Sequence, residues 1–252
     1  MNFPLAISTG ASKILLHPIL ETLAIFIGFR YFLMLRNKKG DHIEQARRIW
    51  IIIGAIFGAL LGSRLIGGLE DINALRNSGN ILLHFYKNKT VVGGFLGGLS
   101  GVELMKKIIG EKKSSGDLFV YPMILALIIG RIGCFSMGVY EETFGIATSL
   151  PWGMDLGDGV MRHPVTLYEM LFLAALWFCL KQTDKKILPA EGVRFKLFMI
   201  SYLCFRFALD FIKPHYTFQS GLSTIQLTCI AGLIYYAAVI KTNPAGLLTK
   251  KT

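Results

Sequence analysis

Two arginines carry the chemistry that this chain can do. Arg131 stands between Gly130 and Gly133, inside the apolar run that extends from Ala126 to Gly138. A charge at bilayer depth costs at least about 2.5–3.5 kcal/mol, so it faces a partner or a polar cavity. Arg206 sits at the centre of Tyr202-x-x-x-Arg206-x-x-x-Asp210, where four-residue spacing puts three polar groups on one helix face. Guanidinium groups offer a fork of donors that matches phosphate. The pair therefore predicts a site for an anionic group within a membrane protein. Arg206 and Asp210 form either a self-neutralised structural pair or, with Arg206 turned to the cavity of Arg131, part of that site with Tyr202 as donor. Arg64 either snorkels to the headgroups or joins the same site. Gln226, polar in an apolar run, is a further binding candidate or interhelical glue.

The elements that must position these residues are long and apolar. Of 252 residues, 53% are hydrophobic, and mean hydropathy is +0.52. The excess falls in runs near 18–35, 49–69, 90–107, 118–138, 164–180, 195–213 and 222–240. At 1.5 Å per residue these span, or nearly span, about 30 Å of hydrocarbon. The expected fold is an all-α bundle of seven transmembrane helices, with residues 1–252 as one membrane domain. The third and fifth runs are short for a full span. The net charge of +11 does not mark a nucleic-acid binder, because the charges collect in short loops, where they set topology.

Lys and Arg crowd alternate loops: Arg36, Lys38, Lys39, Arg47 and Arg48, then Lys106, Lys107, Lys112 and Lys113, then Lys181, Lys185, Lys186, Arg194 and Lys196, and lastly Lys241, Lys250 and Lys251. The opposite side holds only Lys13, Arg76, Lys87, Lys89, Arg162 and Lys213. The positive-inside rule places the N-terminus outside and the C-terminus in the cytoplasm. Met1 to Ala11 lack the basic start of a signal peptide, so the first run is expected to be retained. Two longer loops, 70–89 and 139–163, then face outward, and chemistry is expected to open toward the outer leaflet.

Gly54, Gly58 and Gly62, and Gly93, Gly97 and Gly101, repeat at four-residue spacing, as helices packed backbone to backbone require. Cys134, Cys179, Cys204 and Cys229 all lie in apolar runs without metal-ligand spacing, so no metal or other cofactor is expected.

Gly130-Arg131-Ile132-Gly133-x-Phe135-x-x-Gly138 resembles the signature of the prolipoprotein diacylglyceryl transferases. So do Leu150-Pro151-Trp152-Gly153, and Arg162-His163-Pro164 followed by Leu167-Tyr168-Glu169. Leu61-Gly62-Ser63-Arg64, Gly93-Gly94-Phe95-Leu96-Gly97-Gly98, the Tyr202–Arg206–Asp210 series with Lys213-Pro214, and Gln226 are similar to that family's second, third, sixth and seventh helices. The resemblance implies a bacterial inner-membrane enzyme that moves a diacylglyceryl group from phosphatidylglycerol to the cysteine of a lipobox-containing prolipoprotein, with glycerol phosphate leaving. Arg131 and Arg206 would hold the phosphate, with Tyr202, Arg64, Gly93, Gly94 and Gln226 around the lipid.

The departures fall on thiol activation. Where the family has a histidine before the Gly-Gly of helix 3, this chain has Val92; Cys134, Met137 and Val139 replace two asparagines and a glutamate, and Glu21 stands for a tyrosine of helix 1. Three readings follow. Glu21, His163 or Glu141 supplies another base; or the acceptor is not a thiol, with Cys134 a carrier or a small packing residue; or the chain binds or moves lipid without chemistry.

Overall fold

The structure, a computed structural model, describes residues 3–9, 12–188, 190–214, 216–242 and 249–250. Long helices occupy the apolar runs: α1 (Leu16–Lys39), α2 (Gln45–Gly68), α5 (Val91–Ile109), α6 (Val120–Met137), α7 (Val165–Lys186), α8 (Val193–Asp210) and α9 (Thr224–Thr242). Five of them (α1, α2, α6, α7 and α9) are long and apolar enough to cross a membrane. In the other two, which are 19 and 18 residues long, every 18-residue stretch holds at least three charges: Glu103, Lys106 and Lys107 on α5, and Arg194, Lys196, Arg206 and Asp210 on α8.

The molecule is not purely helical. A hairpin of β1 (Ala6–Thr9) and β2 (Ser12–Leu15) precedes α1, and β3 (Met154–Asp155) pairs with β4 (Met161–Arg162) in the loop after α6. Two short helices, α3 (Ile72–Arg76) and α4 (Ile81–Lys87), fill the loop after α2. Each begins at a side-chain cap: Asp71 accepts from the Ala74 N–H at 2.9 Å and Asn80 from the Leu83 N–H at 3.0 Å. Such caps satisfy amides that a helix start leaves open.

The glycine stripes join α2 to α5. A Cβ at Gly58 or Gly62 would collide with the carbonyl oxygens of Gly97 and Gly93, and a Cβ at Gly101 with that of Gly54. Only hydrogen fits between these backbones. On α1 and α6 a looser approach is made by Gly28 against the Ala126 side chain and by Gly133 against that of His17, where an added Cβ would lie 3.0 and 3.3 Å from its neighbour. Val92, Tyr121, Ile124, Leu173, Phe198, Tyr202, Leu203, Ile225 and Cys229 form the buried core. Large apolar side chains such as Ile25, Phe26, Ile56, Phe57, Leu171 and Ile234 point outward instead. In water such a surface would be unfavourable; against lipid tails it is the expected one.

One end of the bundle is pinned by Arg48, which is 2% exposed. Its Nε donates to Asp41 Oδ2 and its Nη1 to the Ser115 carbonyl, both at 2.8 Å. Burial opposes ionisation of Asp41, but hydrogen bonds from Arg48 and the Ile43 amide hold its carboxyl below the usual aspartate value.

Candidate functional site

The end of the bundle opposite Arg48 gathers the start of α1, the last turns of α6 and α8, and the loop after α6. That loop is tied to α8 by the Ile146 N–H donating to the Ile212 carbonyl at 2.9 Å. Here a cavity of about 1490 Å³ runs between the helices, larger than the roughly 300–1,000 Å³ of ordinary small-molecule pockets. Arg131, Arg206, Arg64, Glu21, Gly94, Cys134, Glu141 and Lys213 all line it.

Arg131 and Arg206 thus meet at one place, with different surroundings. Arg131 Nε lies 2.8 Å from Glu169 Oε2 on α7, and the Tyr202 hydroxyl donates to the other Glu169 oxygen at 2.7 Å. Tyr202 and Glu169 lie behind the cavity wall and fix the guanidinium in place. Arg206 is 5% exposed, and its Nε is buried without a hydrogen-bond partner among the described residues. Its ion pair with Asp210 is long, 3.9 Å. Asp210 also accepts from the Ser223 hydroxyl. A buried guanidinium so loosely held is costly unless something else satisfies it.

A smaller hollow beneath the cavity is lined by Arg131, Arg206, Lys213, Thr143 and Glu169. Lys213 stands three residues beyond α8; burial and the neighbouring Arg206 lower its ammonium pKa. Burial pushes the Glu70 carboxyl up, against the pull of Lys213 and Arg206. The hollow thus sets three basic side chains, Arg131, Arg206 and Lys213, against one carboxylate, Glu169.

The other residues singled out in the sequence are placed as follows. Gln226 accepts from the Ser223 N–H at 2.9 Å and donates to the Phe207 carbonyl at 3.4 Å, joining α9 to α8. Gly93 packs against Gly62, whereas Gly94 faces the cavity. The Arg64 guanidinium sits 4.6 Å over the Tyr86 ring at the cavity wall. Glu21 also lines the cavity but accepts from Lys89 Nζ at 2.7 Å. His163 is turned away: its Nδ1 lies 3.2 Å from the Tyr168 hydroxyl, which accepts from Trp152 Nε1 at 2.9 Å. Val92 is fully buried in the core. Cys134 Sγ is 3.6 Å from Arg131 Nη1.

Four participants escaped sequence reasoning. Glu169 stands in the Leu167-Tyr168-Glu169 motif with no partner assigned, Lys213 counts as a loop charge beside Pro214, and Glu70, the first residue of the 70–89 loop, carries no signal of its own. His17 is a lone histidine with no neighbouring motif. The fold brings it to the cavity, 3.2 Å from Glu141.

Known proteins resemble this chain over nearly its full length. The profile of the prolipoprotein diacylglyceryl transferase family matches residues 4–242. The chain belongs to that family. It is 28% identical to the phosphatidylglycerol–prolipoprotein diacylglyceryl transferase of Campylobacter hominis, over 94% of this chain and 90% of the relative. The enzyme of the same name from Wolbachia pipientis is 29% identical, covering 94% and 95%. That of Bordetella bronchiseptica is 32% identical over 75% and 77%. These relatives are transferases by name, and within the family this chain is a member with an aliphatic residue at position 92.

Proposed function

We propose that this protein transfers a diacylglyceryl group from phosphatidylglycerol to the cysteine sulfur of a lipobox-containing prolipoprotein. The observation that carries this reading is the pair of guanidiniums lining one cavity, Arg131 and Arg206, the latter with a buried Nε that has no hydrogen-bond partner among the described residues. The lipid phosphate supplies the missing acceptor. Negative charge grows on the phosphate oxygen as its bond to the glyceryl carbon breaks. Preorganised donors aimed at such charge contribute about 2.7–4 kcal/mol each. Arg131, held by Glu169 and Tyr202, and Arg206 are the phosphate-binding pair, and Lys213 adds positive charge from the hollow below. Arg64 and Gly94 line the path of the lipid.

The thiol sulfur attacks the glyceryl carbon, a C–S bond forms, and glycerol phosphate leaves. Glu21 and Glu141 line the cavity and His163 does not, so proton acceptance belongs to Glu21 or Glu141 rather than to His163. Loop charges support seven spans in one domain, an extracytoplasmic N-terminus and a cytoplasmic C-terminus in the bacterial inner membrane. Arg131, Arg206 and His17 then lie toward the outer leaflet, where prolipoproteins are presented.

The test is an assay of purified protein with headgroup-labelled phosphatidylglycerol and a lipobox peptide. Labelled glycerol phosphate is expected with the cysteine peptide, not with its serine counterpart, and is abolished in Arg131→Ala. Lipid binding without release of glycerol phosphate would overturn the reading in favour of a lipid-binding protein.

A further inference from the structure

Three donor atoms from separate elements meet beside Arg131: the imidazole of His17 on α1, the thiol of Cys134 on α6 and the carboxylate of Glu141 in the following loop. All lie within 4.8 Å of one another. His17 Nδ1 and Glu141 Oε2 face each other at 3.2 Å. Both atoms are shielded from solvent, and neither has a hydrogen-bond partner among the described residues. A ring nitrogen and a carboxylate oxygen held face to face are satisfied either by a proton shared between them or by a metal cation, and the nearby Cys134 sulfur supplies the third donor that a metal needs. The far side of the ring is also prepared. His17 Nε2 lies 3.7 Å from Glu21 Oε2, and Glu21 is anchored by Lys89 at 2.7 Å. A carboxylate behind the second ring nitrogen is how ligating histidines are held in tautomer and orientation.

We propose that His17, Cys134 and Glu141 bind a zinc ion whose fourth position takes the thiol of the acceptor. A sulfur, an imidazole and a carboxylate suit zinc, whereas magnesium and calcium prefer all-oxygen sets. Three protein ligands and an open position describe a catalytic zinc site rather than a structural one. Tetrahedral bonds of about 2.0–2.3 Å put donors roughly 3.3–3.6 Å apart. The His17–Glu141 edge is close to this, and rotation of the Cys134 side chain brings the sulfur in. Thiolate and carboxylate together neutralise the metal, and the bound acceptor thiolate adds one negative charge beside Arg131.

This inference rests on the transferase reading and completes it. A zinc-bound thiol is deprotonated outright, so the cavity needs no histidine at position 92. The acceptor thiol gives up its proton on binding. Its sulfur electron pair forms the C–S bond, the C–O bond to phosphate breaks, and that electron pair stays on the phosphate oxygen. The released proton ends on the departing glycerol phosphate.

The full chain, purified in detergent, is loaded with Zn²⁺ or Co²⁺ and freed of excess metal by gel filtration. One equivalent of metal per chain is expected, and with cobalt a thiolate-to-metal charge-transfer band. Cys134→Ser loses that band, His17→Gln loses stoichiometric binding, and Glu21→Gln weakens affinity about 10–100-fold. Stripping the metal lowers glycerol phosphate release at least about 10²-fold, the usual contribution of a proton-removing group, and one equivalent of zinc restores it. Substoichiometric metal and no cobalt band in the unmodified chain would overturn the proposal whatever the variants do. Turnover that persists after stripping would overturn it too, while leaving the transferase reading intact. Stoichiometric metal with no turnover on any acceptor supports the site and removes the transferase reading instead.

Discussion

Arg131 Nε and Glu169 Oε2 lie 2.8 Å apart in the interior of the bundle, and the site is built on that pair. Glu169 is 2% exposed and also accepts a hydrogen bond from Tyr202, so Arg131 is held by a close ion pair at 2.8 Å, whereas that of Arg206 with Asp210 is long, 3.9 Å. Breaking a buried pair from one side leaves an uncompensated charge, at a cost of about 3–5 kcal/mol. Glu169→Gln is expected to lower thermal stability in detergent and to cut turnover about 10²-fold through misplacement of Arg131. Adding Arg131→Ala to Glu169→Gln restores part of the lost stability. A double-mutant cycle of unfolding temperatures checks this; additive losses would show the two residues to be uncoupled.

Val92→His is the substitution that the family signature invites. Val92 has no exposed surface and packs in the core with Tyr202 and Phe198, and it does not line the cavity. The larger ring overpacks the core at a cost of about 1–3 kcal/mol and gains no access to the acceptor. We expect lower stability and no rise in turnover, measured side by side on purified protein.

Gly97 and Gly94 are a matched pair on α5. A Cβ at Gly97 meets the Gly58 carbonyl oxygen, whereas at Gly94 the nearest atom is Ser63 Cβ at 3.7 Å. Gly97→Ala is expected to destabilise the α2–α5 contact by about 1–3 kcal/mol, and Gly94→Ala to stay within about 0.5 kcal/mol of the parent. Thermal unfolding of the two variants decides.

Asp41 gives the pH dependence of stability. Its carboxyl is lowered in the folded protein, so its contribution is fully present above the unfolded value of about 3.9 and disappears as pH falls through the lowered folded value. Asp41→Asn should destabilise the chain at neutral pH, because Arg48 stays buried, and should flatten the decline in unfolding temperature below about pH 4. An unchanged acid profile in the variant would place the sensitive group elsewhere.

The helices were legible because each apolar run forms the body of one helix, although α1 (Leu16–Lys39) and α7 (Val165–Lys186) continue past their runs into charged ends, and because the glycine spacing names the α2–α5 contact directly. Arg131 was legible for a related reason, since a charge inside an apolar run has few places to go; Arg206 stood between a pair with Asp210 and the cavity of Arg131, and only the packing of α8 brings it to that cavity. Glu169 and His17 were not, since their partners, Arg131 and Glu141, are distant in sequence and only the packing of α1, α6 and α7 joins them. Gln226 shows the opposite case. It is polar in an apolar helix, yet its hydrogen bonds to Ser223 and Phe207 serve helix packing. The hairpins β1–β2 and β3–β4 are too short to show a period in the sequence.

Arg206 carries the central claim, so the decisive measurement is the mass of a lipobox peptide incubated with phosphatidylglycerol and the purified protein in vesicles. The peptide should gain one diacylglyceryl group on its cysteine sulfur, in step with glycerol phosphate release. Arg206→Ala should lower the rate about 10²–10³-fold without unfolding the protein. An unmodified peptide with the parent protein, or an undiminished rate in Arg206→Ala, would contradict the account.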